Sequence, residues 1–267
     1  MTVHTASVPA PAAAPVRAAR VASNETSGRA LARAVAVETR KLVNTRTGPV
    51  LIAAAALLSG AFAGGRALFP TTGTDFGHLA SMAVVPASMI SMVLAVLLVA
   101  GEFSARTASV TLTLDPRRGR LVLAKILTVL GLSVVATTLA VVAAALVMVV
   151  APLITGVTLA WTFDVASLAV VAGNGAFLVL AGFAWALALR NAAAPIAFLL
   201  VWPTVAMLVG SISDTAARAM AFVAVDPLYE LLPDAAVVGP LAVVVAAMVW
   251  IVAPGTVGTL RLLRDDL

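Results

Sequence analysis

The chain has 267 residues, of which 62% are hydrophobic and 11% charged, with a net charge of +5 and a mean hydropathy of +1.09. Soluble globular domains carry roughly 45–50% apolar and about 25% charged residues, and disordered chains are less apolar still, so this composition excludes both classes. The chain has no cysteine and only two histidines, His4 and His78, which argues against disulfides and thiolate-bound cofactors. We therefore predict a polytopic, all-α membrane protein with no metal or cofactor.

Residues 1–27 are rich in Ala and Pro and contain no apolar run of spanning length. Such a composition predicts a disordered cytoplasmic tail, and it has no signal-peptide core.

Residues 28–46 are predicted to form an amphipathic helix that lies along the inner leaflet before the first span. At 100° per residue, three apolar side chains share one face and three arginines lie opposite: Leu31, Val35 and Leu42 against Arg29, Arg33 and Arg40. Glu38 falls inside the apolar face, which leaves two interpretations. It pairs with Lys41 three residues later, which we favour, or it meets a basic residue of the next loop or of a partner protein.

Six stretches are long and apolar enough to cross a bilayer, which takes about 20 residues. We place the spans at 48–69, 79–101, 122–150, 164–189, 193–212 and 236–260. They make up a transmembrane domain, 47–260, that is followed by a short tail, 261–267. Only Arg190 and Asn191 separate the fourth and fifth spans, which predicts a tight turn there.

Basic residues fall almost entirely on one side of these spans. Fifteen lie on the side of the two termini: Arg17, Arg20, Arg29, Arg33, Arg40, Lys41, Arg46, Arg106, Arg117, Arg118, Arg120, Lys125, Arg190, Arg261 and Arg264. Arg66 and Arg218 lie on the other side. By the positive-inside rule both termini are cytoplasmic, and the net positive charge reflects topology in the cell membrane rather than nucleic-acid binding.

Arg66 and Asp164 lie at interfaces and Lys125 at the entrance to span three, so the predicted span interiors contain no Asp, Glu, Lys, Arg or His. Ion-coupled transporters keep such groups within their spans. The most polar interior position is Asn174, for which a hydrogen bond across a helix pair is favoured over a substrate contact. Gly60 and Gly64 form a small-xxx-small pattern that suits close helix packing, including a dimer face.

The chain also lacks a nucleotide-binding motif. Its two lysines, Lys41 and Lys125, follow Arg40 and Ala124 rather than the glycine that a phosphate-binding P-loop requires. We therefore predict that the chain is not itself an enzyme, and that energy for any active transport comes from a cytoplasmic partner.

A charged segment, 101–125, joins the second and third spans. Its simplest interpretation is a positive-inside anchor that also binds anionic lipid. Its pattern is a Gly-Glu at the end of span two, then a Thr, then Pro-x-Arg, and a Lys entering span three, at these positions: Gly101, Glu102, Thr107, Pro116, Arg118 and Lys125.

This pattern resembles the permease subunits of type-2 ABC exporters, a six-span family that includes bacterial drug and antibiotic efflux permeases. Arg106 stands where the family usually has Gly before the Thr. The motif Glu38-Thr39-Arg40-Lys41 resembles the family's elbow helix. Residues 226–237 resemble its extracellular helical excursion, placed here at 213–235.

The resemblance implies a permease that forms the translocation pathway as a homo- or heterodimer and is coupled to a separate ATP-binding subunit. A coupling helix would lie within 102–120 and would dock on that subunit, with the elbow helix beside it. The residues implied in docking are Glu102, Arg106, Thr107, Pro116, Arg117, Arg118, Arg120 and Lys125.

Two alternatives remain open from the residues. One is a non-transporting membrane scaffold or assembly protein whose basic cytoplasmic face binds lipid or a partner. The other, an intramembrane enzyme, would need a polar catalytic cluster in the spans, and the sequence offers none.

Overall fold

The computed structural model describes residues 27–70, 74–104, 118–156, 158–234 and 236–264. Within these ranges the chain is helical and contains no strand. Helix α1 is Ser27–Asn44, α2 is Thr47–Leu68 and α3 is Phe76–Ser104. Helix α4 is Arg118–Thr155 and α5 is Val165–Leu189. These residues confirm the all-α prediction.

The second half of the chain contains α6, Ala193–Gly210, and the short α7, Asp214–Ala221. A 3₁₀ turn, Pro227–Leu231, follows. Helix α8 then runs through Leu241–Ala247, a π-helical turn at Met248–Val252 and Ala253–Arg264. We use the term excursion for residues 211–240, which join α6 to α8 and include α7 and the 3₁₀ turn.

Six helices in the described ranges are long and apolar enough to cross a membrane, namely α2, α3, α4, α5, α6 and α8. The prediction of a multi-pass membrane protein is confirmed at this level. Helix α4 has 38 residues and is therefore about 57 Å long, nearly twice the thickness of the hydrocarbon core. It tilts strongly in a bilayer or extends beyond it.

Helices α3 and α5 form the centre of the bundle. α3 is the most deeply buried of the spanning helices, and it packs along α5. A Cβ on Gly182 of α5 would lie 2.7 Å from Cγ of Met92 in α3, so glycine at this position lets the Met92 side chain pack directly against α5. Helix α6 contributes few buried residues and lies at the periphery.

The turn between α5 and α6 is as short as the sequence predicts. Arg190 adopts a left-handed conformation with φ of 53° and ends α5. The side-chain oxygen of Asn191 then accepts a hydrogen bond of 2.8 Å from the N–H of Ala193, at the start of α6. An Asx-type cap of this kind replaces a missing helical hydrogen bond.

Contacts between helix ends define two ends of the bundle. At one end, Leu121 of α4 and Leu262 of α8 form a small apolar cluster. The Arg190 guanidinium lies 5.2 Å from the centre of the Phe103 ring at the end of α3, and Arg261 donates to the carbonyl of Ala188 at 2.8 Å. We term this the basic end, because most of the described Lys and Arg residues lie there.

Candidate coupling site

At the basic end, Glu38 of α1 lies between two lysines. Its Oε1 is 2.7 Å from Nζ of Lys41, and its Oε2 is 2.6 Å from Nζ of Lys125 in α4. The side chains of Glu38 and Lys125 are 2% and 6% exposed, whereas that of Lys41 is 39% exposed. Burying a carboxylate is costly unless it is paired and hydrogen-bonded. Here each carboxylate oxygen has its own ammonium partner, so the cluster ties α1 to the first turns of α4.

The position of Glu38 follows from the amphipathic pattern of α1. The face that carries Leu31, Val35 and Leu42 is partly buried and packs mainly on α4, with smaller contacts to α2 and α3. Glu38 lies in the middle of this face, where solvent does not reach it. The favoured pairing with Lys41 is confirmed. The second partner, Lys125, lies on α4 and not in the loop that the alternative interpretation named.

A compact turn fixes α1 against α2. The Thr45 hydroxyl donates to the Leu42 carbonyl at 3.1 Å and accepts from the N–H of Gly48 at 3.3 Å. A Cβ on Gly48 would collide with the Leu42 carbonyl oxygen. Glycine at this position therefore permits the angle between the two helices, and nothing in the hydropathy pattern marks it.

The predicted coupling segment, 102–120, is described only at its two ends. Glu102 lies in the last turn of α3 and Arg118 begins α4, while Arg120 is half-buried in the first turn of α4. The other predicted docking residues lie outside the described residues: Arg106, Thr107, Pro116 and Arg117. On α1, Arg40 is exposed and takes no part in the Glu38 cluster.

At the opposite end of the bundle, part of the excursion lies between α6 and α8. The indole N–H groups of Trp202 and Trp250 both donate to the carbonyl of Val223, at 2.7 and 3.1 Å. Both tryptophans lie eight or nine residues from the nearby ends of α6 and α8, which is about 12–14 Å along a helix. Non-helical backbone at this depth needs internal hydrogen-bond partners, and the two indoles provide them.

Asn174 holds the next part of the excursion. Its Oδ1 accepts a 2.9 Å hydrogen bond from the N–H of Leu228, and its side chain is buried. The expected hydrogen bond across a helix pair is not observed. The partner of Oδ1 is instead the backbone of the 3₁₀ turn in the excursion.

Glu230 closes the excursion and was not singled out by the sequence. One carboxylate oxygen, Oε2, accepts hydrogen bonds of 2.8 Å from three successive N–H groups, those of Val237, Val238 and Gly239. Gly239 has a positive φ of 85°. Only 7% of Glu230 is exposed. A charge-assisted cap of this kind fixes the chain just before α8 begins.

Gly60 and Gly64 are partly buried on α2 but do not mark a close approach to another described helix. A Cβ at either position would meet no atom within 4 Å. The space beside them on α2 is open among the described residues.

The described residues contain no group of three His, Asp or Glu side chains that could hold a metal ion. The sequence matches no protein-family model, and a comparison with curated proteins finds no match.

Proposed function

We propose that this chain is the transmembrane permease subunit of an ATP-driven exporter of the type-2 ABC kind. It forms the translocation pathway with a second permease chain and is driven by a separate ATP-binding subunit at the basic end, which is cytoplasmic. The observation that carries the proposal is the buried ion-pair cluster of Glu38, Lys41 and Lys125. It joins two segments that the resemblance assigns to the elbow helix and to the entrance of span three.

The cluster suits the transmission of force. A partner that displaces segment 102–120 acts directly on the end of α3 and on the start of α4, because the segment joins them. It acts on α1 as well, because Glu38 holds α1 to Lys125 of α4. Packed helices respond to such a displacement by rigid-body shifts rather than by continuous deformation.

Contacts between helices connect the basic end of the bundle to the opposite end. α3 packs closely on α5 at Gly182 and Met92, and α5 is tied to the excursion by Asn174. A tilt of α3 therefore shifts α5 and the excursion at the far end. This connection supports an alternating-access movement driven from the basic end.

The energy source in this proposal is external. The chain lacks a P-loop, so the purified chain should turn over no ATP. Gly60 and Gly64 supply a surface of α2 on which a second permease chain can pack closely, and the open space beside them among the described residues supports that use.

Capture of the ATP-binding subunit tests the proposal. The tagged full-length chain is purified from native membranes in mild detergent, and co-purifying soluble proteins are identified by mass spectrometry. We expect a protein with a P-loop and an ABC signature, whose recovery falls in Arg118→Lys and Glu102→Gln. Loss of a charged contact at an interface costs about 2–5 kcal/mol, and lysine lacks the planar fork needed for bidentate recognition.

Arg264→Lys is the matched control, because Arg264 is exposed at the same end but lies outside segment 102–120. If the segment serves only as a lipid anchor, Arg118→Lys leaves the recovery of the ATP-binding subunit unchanged, since the attraction of the segment to anionic lipid depends on charge alone. Equal recovery of the ATPase by all variants removes the coupling assignment. Absence of any ATPase, with the chain well expressed, favours the membrane scaffold.

A further inference from the structure

A cavity of about 440 Å³ opens at the basic end between α1, α2 and α3. Its residues divide by chemistry into a polar rim and an apolar body. Lys41, Thr45 and Thr47 form the rim, and Leu94, Leu97 and Leu98 line the body.

The polar rim and the apolar body lie at different depths in the membrane. The rim lies at the turn between α1 and α2, where Thr45 and Thr47 are exposed. Gly101 marks the same level on α3, and Leu94 lies seven residues earlier, which is about 10 Å deeper along the helix. A space that is polar at the interface and apolar below it fits an amphiphile rather than a soluble ion or a purely apolar molecule.

The charged side chains at the rim favour an amphiphile with a negatively charged headgroup. Lys41 lines the cavity, and Arg46 is exposed in the turn between the rim residues Thr45 and Thr47. Glu38, the nearest acidic side chain on α1, is neutralised by its two lysines. Anionic lipids of the cytoplasmic leaflet favour such juxtamembrane basic clusters, and basic pockets between helices bind their headgroups.

We propose that this cavity binds one anionic phospholipid, with its phosphate at Lys41 and the two threonine hydroxyls and one acyl chain against Leu94, Leu97 and Leu98. The bound lipid fills the space beneath α1 and so supports the position in which Glu38 reaches Lys125. The site requires only the membrane location of the chain and is independent of the ATPase partner.

Lipid retention measured by native mass spectrometry tests this site. The full-length chain is titrated in detergent with dioleoylphosphatidylglycerol or with dioleoylphosphatidylcholine. We expect a single retained phosphatidylglycerol, bound about fivefold more tightly than phosphatidylcholine for each cation engaged. Lys41→Gln should lower the affinity for phosphatidylglycerol about fivefold and leave phosphatidylcholine unchanged.

A second variant keeps the test independent of the Glu38 cluster. Leu97→Trp fills the apolar body without altering any charge and should abolish retention of both lipids. Leu127→Trp is its control, because Leu127 is exposed on α4 and does not line the cavity. Equal retention of the two lipids by the unaltered chain overturns the proposal. It is also overturned if Leu97→Trp retains lipid as Leu127→Trp does, or if inorganic phosphate displaces the lipid.

Discussion

Glu38 and Lys125 are 87 residues apart in the sequence, yet the Glu38 carboxylate and the Lys125 ammonium are 2.6 Å apart and both side chains are buried. Removing one member of a buried ion pair leaves the other charge uncompensated, which typically costs about 3–5 kcal/mol. We therefore expect Glu38→Gln to lower the unfolding temperature of the chain in detergent markedly. Arg40→Gln, two residues away on the exposed face of α1, should have little effect. Equal stability of the two variants would contradict a structural role for the pair.

The turn before α2 provides a second stability prediction. Gly48→Ala places a methyl group against the Leu42 carbonyl, so α1 must move away from α4. We expect reduced yield of folded protein and a lower unfolding temperature. Gly131→Ala is the control, because a Cβ there meets nothing within 4 Å and alanine favours a helix by up to about 1 kcal/mol. An equal fall in unfolding temperature for the two variants would show that the close approach of Gly48 to the Leu42 carbonyl does not determine stability.

Membrane orientation follows from the charge distribution. A reporter that is active only in the cytoplasm should be active when fused after Leu267, and fusions near Asp75 or Asp226 should report the outside. An external carboxyl terminus would exclude the six-span arrangement with cytoplasmic termini.

The junction between α3 and the segment before α5 should depend on pH. The N–H of His78 and the hydroxyl of Thr162 donate to Asp75, at 2.9 and 2.8 Å, and these hydrogen bonds hold the pKa of the Asp75 carboxyl below its usual 3.8. Because this pKa is depressed in the folded state, the stabilisation is complete above about pH 4 and is lost as the pH falls through the lowered pKa.

Thermal unfolding of the unaltered chain and of Asp75→Asn between pH 7 and pH 3 measures this effect. Asp75→Asn should lose less stability on acidification, since it has no carboxylate to protonate. Asp234→Asn, at an exposed position, should follow the unaltered chain. Identical profiles for all three would contradict the assignment to Asp75.

The cap on the excursion predicts a local change in hydrogen exchange. Glu230→Ala removes the acceptor of three N–H groups, and a hydrogen bond to a charged group contributes about 1.5–3 kcal/mol. We expect faster amide exchange at residues 237–239, read by mass spectrometry of peptides that span them. Asp234→Ala should leave this exchange unchanged. Unaltered protection in Glu230→Ala would mean that another group satisfies these amides.

Local composition determined the helices. A run of about 20 apolar residues has few stable structures other than a helix in a bilayer, because every backbone polar group needs an internal partner. For this reason the sequence predicted the six long helices, the amphipathic α1 and the Arg190–Asn191 turn. The bounds differ most for α4, which runs Arg118–Thr155 where 122–150 was predicted, and for α8, which runs from Leu241 to Arg264 where 236–260 was predicted. The i, i+3 spacing of Glu38 and Lys41 was equally local and was predicted correctly.

Tertiary structure decided the relationships between distant segments. The choice of Lys125 as the second partner of Glu38 depends on how α1 lies against α4, which in turn depends on the close approach at Gly48. The descent of the excursion between the helices depends on Asn174, Trp202 and Trp250, each on a different helix. Hydropathy records how favourably a residue leaves water, but it does not record which buried polar groups then face one another. That pairing is set only when the helices pack.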